Sequence, residues 1–167
     1  MNTMKENAAT DGYRPRILIV DDEELVTKSL RNLFLLQSEY EVVTHTSARE
    51  ALSAAGTSPI DLVITDYLMP EMDGITFLSR LKQIQPQAIR VLLTGYADKE
   101  NAIRAINSVG LYHYIEKPWD NDELLMVVKN GLEKRALLRE LENKIAELDA
   151  THLSLKSIQT ELIKAFM

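Results

Sequence analysis

Cysteine is absent from all 167 residues, which removes disulfides, thiolate metal sites and thiol nucleophiles together. Basic charge is short as well. Nineteen Lys and Arg stand against 25 Asp and Glu, and a net charge of -6 argues against holding nucleic acid through its phosphates. No apolar run approaches the ~20 residues a membrane helix needs. Met1 to Pro15 is polar and lacks the basic-then-apolar order of a signal peptide. A cytoplasmic protein with no membrane segment and no direct nucleic-acid binding is expected. What is present is 46% hydrophobic sequence over a length sufficient for one buried core plus an appendage.

Four short apolar runs each end on a residue able to handle a phosphoryl group. Arg16 to Val20 leads into Asp21 and Asp22, Asp61 to Thr65 into Asp66, Ile89 to Leu93 into Thr94, and Tyr112 to Glu116 into Lys117. Tyr40 to Thr44 reads as a further strand, second in chain order. Between the strands lie helical patterns. One carries Leu25, Leu30, Leu33 and Phe34; a short Ala-rich helix is capped by Ser47; a third runs from Gly74 to Gln85; a fourth runs from Asp98 to Val109 and is closed by Gly110. Strands alternating with helices in this way predict an α/β fold with a parallel sheet covered on both faces. A flavodoxin-like, doubly wound (βα)5 order is the arrangement that right-handed crossovers favour.

From Asn121 onward there is no Pro and a single Gly, so one helix of about 45 residues, about 67 Å at 1.5 Å per residue, is expected. Its first turns, through Leu124, Leu125, Val127, Val128 and Leu132, should cover the sheet. Beyond them Leu141, Leu148, Leu155 and Leu162 recur every seven residues, with Leu138, Ile145 and Phe166 in the alternate positions and His152 and Gln159 completing the set. That is a heptad seam, for which a second copy of the chain, parallel to the first, is the simplest partner. The domains expected are a flexible tail over 1–14, a globular domain over 15–131 and a helical coiled-coil extension over 132–167. The uncapped ending at Lys164 to Met167 reads as a truncation, with an output domain beyond it.

If the runs are parallel strands, Asp21, Asp22 and Asp66 converge on the carboxyl edge of the sheet, where open α/β folds bind ligands. Clustered carboxylates repel unless a cation joins them, and a hard oxygen set of this kind suits Mg²⁺. Helix capping would account for Asp21 or Asp22 alone, but for neither Asp66 nor Lys117. Asp66 can be read as a metal ligand only, or as a nucleophile that accepts a phosphoryl group as an acyl phosphate. The Thr94 hydroxyl and Lys117 ammonium are the donors expected to meet phosphoryl oxygens.

Val20-Asp21-Asp22-Glu23, Asp66-Tyr67-Leu68-Met69-Pro70-Glu71-Met72-Asp73-Gly74, Leu93-Thr94-Gly95-Tyr96 and Tyr114-Ile115-Glu116-Lys117-Pro118 together resemble the receiver domain of two-component response regulators. The resemblance implies that Asp66 takes the phosphoryl group from a sensor histidine kinase or phosphotransfer protein. It implies Mg²⁺ bound by Asp22 directly, by Asp21 through water, by Asp66 and by the Leu68 backbone carbonyl. Thr94 and Tyr114 match the family's switch pair, and Lys117-Pro118 the bond that is usually cis. Within the family, Leu92 to Asp98 with Ile103 to Asn107, then Lys117-Pro118-Trp119, resembles receivers attached to HD-GYP phosphodiesterases or AAA+ activators.

Other functions fit less well. A haloacid-dehalogenase-type phosphatase wants an Asp two residues after its nucleophile, and positions 23 and 24 are both Glu. No nucleophile elbow is present for Ser-His-Asp catalysis. A coiled-coil adaptor with an inert head is the alternative to a phosphoacceptor switch. On the switch reading the chain is not itself an effector enzyme.

Overall fold

The computed structural model describes residues 12–37 and 40–167. The chain divides into two compact units, Met1–Leu132 and Glu133–Met167. In the first, strands β1 (Arg16–Val20), β2 (Glu41–His45), β3 (Leu62–Asp66), β4 (Ile89–Thr94) and β5 (His113–Glu116) form one parallel sheet in the order β2-β1-β3-β4-β5. This is the flavodoxin-like order. The helices α1 (Glu24–Gln37), α2 (Ala48–Ala54), α3 (Gly74–Ile84), α4 (Lys99–Ser108) and α5 (Asn121–Ala165) follow their strands in turn.

Strand side chains alternate between faces, and the core divides accordingly. Leu18, Val20, Val63 and Leu92 pack with Ala48 and Ala51 of α2, Phe77, Leu78 and Leu81 of α3, and Ala102 and Ala105 of α4. Ile17, Ile19, Ile64 and Val91 pack instead with Leu30 and Phe34 of α1 and with Leu124 and Val128 of α5. Every residue of β3 is buried, as a central parallel strand requires.

The Ser47 cap and the Gly110 stop expected from sequence are in place, and Asp73 adds a cap to α3. Ser47 Oγ accepts the Glu50 N–H at 3.3 Å, Asp73 Oδ1 accepts the Thr76 N–H at 2.7 Å, and Gly110 ends the α4 segment at φ +63°. Several boundaries differ by a residue, with β3 and β4 taking in Asp66 and Thr94 and β5 starting at His113. β2 begins one residue later than the β-branched run suggests, because the Glu41 N–H donates to the Pro15 carbonyl and fixes Glu41 opposite Arg16. α4 is preceded by a 3₁₀ turn over Tyr96–Asp98, closed by Asp98 N–H donating to Gly95 C=O, where sequence alone gave only a helix start.

Residues 1–11 of the expected tail lie outside the described residues. Tyr13, near its end, is tied down: its hydroxyl donates to the buried Asp61 carboxylate, which also accepts the Arg16 N–H at 2.8 Å. In the second unit every residue from Leu141 to Met167 is exposed, including Leu141, Ile145, Leu148, His152, Leu155 and Leu162 of the expected seam; Leu138 is half-buried. Among the described residues no helix is long and apolar enough to cross a membrane.

Candidate functional site

The strand order decides which loops meet. β1 and β3 are adjacent although α1, β2 and α2 separate them in sequence, and they lie on either side of the point where the winding direction reverses. Asp21 and Asp22 leave β1 there, and Asp66 is the last residue of β3. Carboxylate oxygens of the three lie within 4.8 Å of one another. β4 contributes Thr94 as its last residue, and the turn after β5 contributes Lys117, whose N–H donates to the Thr94 carbonyl at 2.7 Å. The Lys117–Pro118 peptide bond is cis.

Lys117 Nζ lies 3.1 Å from Asp21 Oδ2 and 3.1 Å from Asp66 Oδ1, so one ammonium bridges carboxylates from two strands. Asp21 is fully buried and both its oxygens are engaged, Oδ1 by the Glu23 N–H at 2.9 Å and Oδ2 by Lys117. Asp66 Oδ1 accepts Lys117 and also the Tyr67 N–H at 2.9 Å. No bond to Asp66 Oδ2 is seen among the described residues. Asp22 is exposed at the mouth of the site.

Burial pushes the Asp66 carboxyl above the usual Asp range. The Lys117 bond pulls it back down and the Asp21 charge adds to the rise, with the net result upward. For Lys117 burial works against the ammonium, but Asp66 and Asp21 more than offset it and hold the amine above its ordinary value. The two carboxylates thus favour the charged Lys117 amine against burial, while burial keeps the Asp66 carboxyl raised. Three carboxylates against one ammonium leave the site at net -2, an oxygen-rich set that fits a hard divalent ion such as Mg²⁺.

Thr94 is fully buried, and its Oγ1 has no hydrogen-bond partner among the described residues. Buried hydroxyls are normally satisfied, so this one is an exception. Tyr114, opposite Leu92 in the β4–β5 register, is half-buried against the α2–α4 side of the core. Leu68 and Tyr96, two residues beyond Asp66 and Thr94, are 63% and 86% exposed and carry no charge into the site.

Two contributors have no clear sequence signature. The Tyr67 N–H orients Asp66 through backbone alone. Gly74 lies so close to β3 that a Cβ there would meet the Asp66 carbonyl oxygen at 2.1 Å, and its N–H donates to Tyr67 C=O at 2.7 Å. The Asp-Gly pair at the start of α3 hints at it, since only Gly permits such an approach.

The family model of the response regulator receiver domain matches residues 17–129. Among curated relatives, the chain is 33% identical over 132 residues to the hydrogenase transcriptional regulatory protein HoxA of Cupriavidus necator, covering 79% of this chain and 27% of that protein. It is 36% identical over 128 residues to the regulatory protein AtoC of Escherichia coli, covering 77% and 27%. The chain thus spans about a quarter to a third of the curated relatives it matches. Among solved structures, the signal receiver domain of an HD domain-containing protein from Pseudomonas fluorescens Pf-5 is similar at 38% identity and TM-score 0.69, over 74% of this chain and 98% of that one. NtrX from Brucella abortus is similar at 31% identity and TM-score 0.71, over 78% and 30%.

Proposed function

Because the chain belongs to the response regulator receiver domain family, we propose that it is a phosphoacceptor switch in which Asp66 takes the phosphoryl group of a phosphohistidine on a sensor kinase or phosphotransfer protein. The observation that carries this reading is an Asp66 Oδ2 with no bond among the described residues, beside an Oδ1 already held by Lys117 and the Tyr67 N–H. Oδ2 attacks phosphorus, the bond from phosphorus to the imidazole nitrogen breaks, and its electron pair leaves with the ring, which takes up a proton. The Lys117 ammonium, 3.1 Å from the neighbouring oxygen, is placed to donate to a phosphoryl oxygen as charge moves onto it.

Asp22, Asp66 and the Leu68 carbonyl would hold Mg²⁺ directly, and Asp21, whose oxygens are both engaged, through water. When bound, the ion neutralises the carboxylates and the incoming phosphoryl oxygens. The chain's own part is to hold those oxygens together and to keep Lys117 charged.

Phosphorylation adds about two negative charges at the carboxyl edge of the sheet. The unpartnered Thr94 hydroxyl gains an acceptor only by moving toward them, which draws in the loop after β4 and makes room for Tyr114 behind it. The changed surface, and the α5 helix that runs out of the receiver unit, pass the state to an output domain or partner in the cytoplasm. An exposed heptad seam makes a second copy of this chain the partner assigned to the end of α5. On this reading the chain is a switch with self-catalysed phosphotransfer and slow autodephosphorylation, with effector activity residing elsewhere.

The test is intact-mass measurement after acetyl phosphate treatment with and without Mg²⁺. A metal-dependent phosphoryl adduct that disappears in Asp66→Asn supports the reading. Absence of any adduct in the parent chain favours the inert-head adaptor.

A further inference from the structure

The apolar stripe of residues 133–167 is exposed from Leu141 onward, and its flanking positions carry information about how it is covered. With Leu141, Leu148, Leu155 and Leu162 at d, the a positions are Leu138, Ile145, His152, Gln159 and Phe166. In a parallel pair, the residue at g meets the residue five positions later, at e, on the other helix. Lys144 at g then meets Asp149 at e, opposite in charge. Ile158 at g meets Ile163 at e, so these two exposed apolar flanks cover one another, whereas the exposed Leu137 at g meets Glu142 and the exposed Leu153 lies on the outer face.

The polar layers point the same way. In a parallel, in-register pair His152 faces His152 and Gln159 faces Gln159, so each can hydrogen-bond its own kind. In an antiparallel pair a positions face d positions, and both residues would be pressed against leucines with no partner for their polar atoms. Sliding the parallel pair by one heptad keeps only part of this, because it sets one His152 against Gln159 and the other against Ile145 with no partner for its polar atoms.

Resting on the reading of the seam as a dimer surface, we propose that residues 133–167 pair with the same segment of a second copy as a parallel, in-register two-stranded coil. Its direction and register are set by the His152 and Gln159 layers and by the Ile158–Ile163 flanks.

The cysteine-free sequence makes the test direct, since any introduced Cys is unique. Ile145→Cys and Leu162→Cys, each in the full chain under copper–phenanthroline oxidation, should both form disulfide dimers. At about 10 µM protein they should do so ~100-fold faster than Ser157→Cys on the outer face, because the coil raises the local thiol concentration to about millimolar. Ile158→Glu should weaken dimerisation at least tenfold in sedimentation, and adding Ile163→Lys should recover most of it. The proposal is overturned by monomers at that concentration, by crosslinking only when the two Cys variants are mixed, or by no recovery in the double variant. Crosslinking needs no phosphorylation and the acetyl phosphate adduct needs no coil, so failure of one reading leaves the other measurable.

Discussion

Asp66→Asn separates the electrostatics of the pocket from its chemistry. Oxygens of Asp21, Asp22 and Asp66 lie within 4.8 Å of one another. For the two buried members, Asp21 and Asp66, that separation means a repulsion of about 3.5 kcal/mol at an effective dielectric of about 20. Lys117 offsets part of this, yet burial leaves the Asp66 carboxyl raised. A carboxyl whose folded pKa lies above its unfolded value stabilises the fold most below the unfolded value, and that contribution is lost as pH rises through the folded one. Metal-free Asp66→Asn should therefore match or exceed the parent in thermal stability at pH 7, and its advantage should open as pH rises from about 4. Mg²⁺ reverses the order. At 100 times its dissociation constant a ligand stabilises by about 2.7 kcal/mol, which at ~3–4 °C per kcal/mol is a rise of about 10 °C for the parent. A tenfold loss of affinity in the variant cuts the gain to about 1.4 kcal/mol, or about 5 °C. Thermal unfolding by circular dichroism over a Mg²⁺ series reads all of this. A metal-free variant less stable than the parent at pH 7 would mean that the Lys117 ion pair outweighs burial, and equal Mg²⁺ shifts would remove Asp66 from the metal site.

Thr94→Val should leave unphosphorylated stability within about 1 kcal/mol of the parent or raise it, since the buried hydroxyl bonds nothing; the spectral response of the tyrosines to acetyl phosphate should disappear, and a retained response would refute the switch role. Gly74→Ala should cost at least about 1–3 kcal/mol in chemical denaturation, because its Cβ would fall 2.1 Å from the Asp66 carbonyl oxygen and 2.9 Å from Leu92 Cδ1. A neutral result would mean that β3 yields freely beside the acceptor. Leu68→Asn combined with Tyr96→Glu should hasten phosphate loss from the adduct, because the parent residues are uncharged, exposed and able to shield the phosphoryl group from an oriented water. An unchanged or slower release, followed by intact mass over time, counts against shielding.

Element type and order were legible in the sequence because they rest on local chemistry. Alternating β-branched runs, the Ser47 cap, the Asp73-Gly74 helix start and Gly110 at positive φ each act within a few residues, and each appears where the pattern placed it. The identities of Asp21, Asp22, Asp66, Thr94 and Lys117 were legible too, since each closes an apolar run. That they share a point in space was legible only on the condition that the runs form one parallel sheet. The condition is met by β1 pairing with β3 across the intervening α1, β2 and α2, a non-local choice made by the packing of two core faces at once. Only the folded backbone leaves one oxygen of Asp66 occupied and the other open, buries the Thr94 hydroxyl without a partner, and brings Gly74 against β3. Those features depend on backbone groups and on distances between segments remote in the chain, and no pattern of side chains along the sequence encodes a distance.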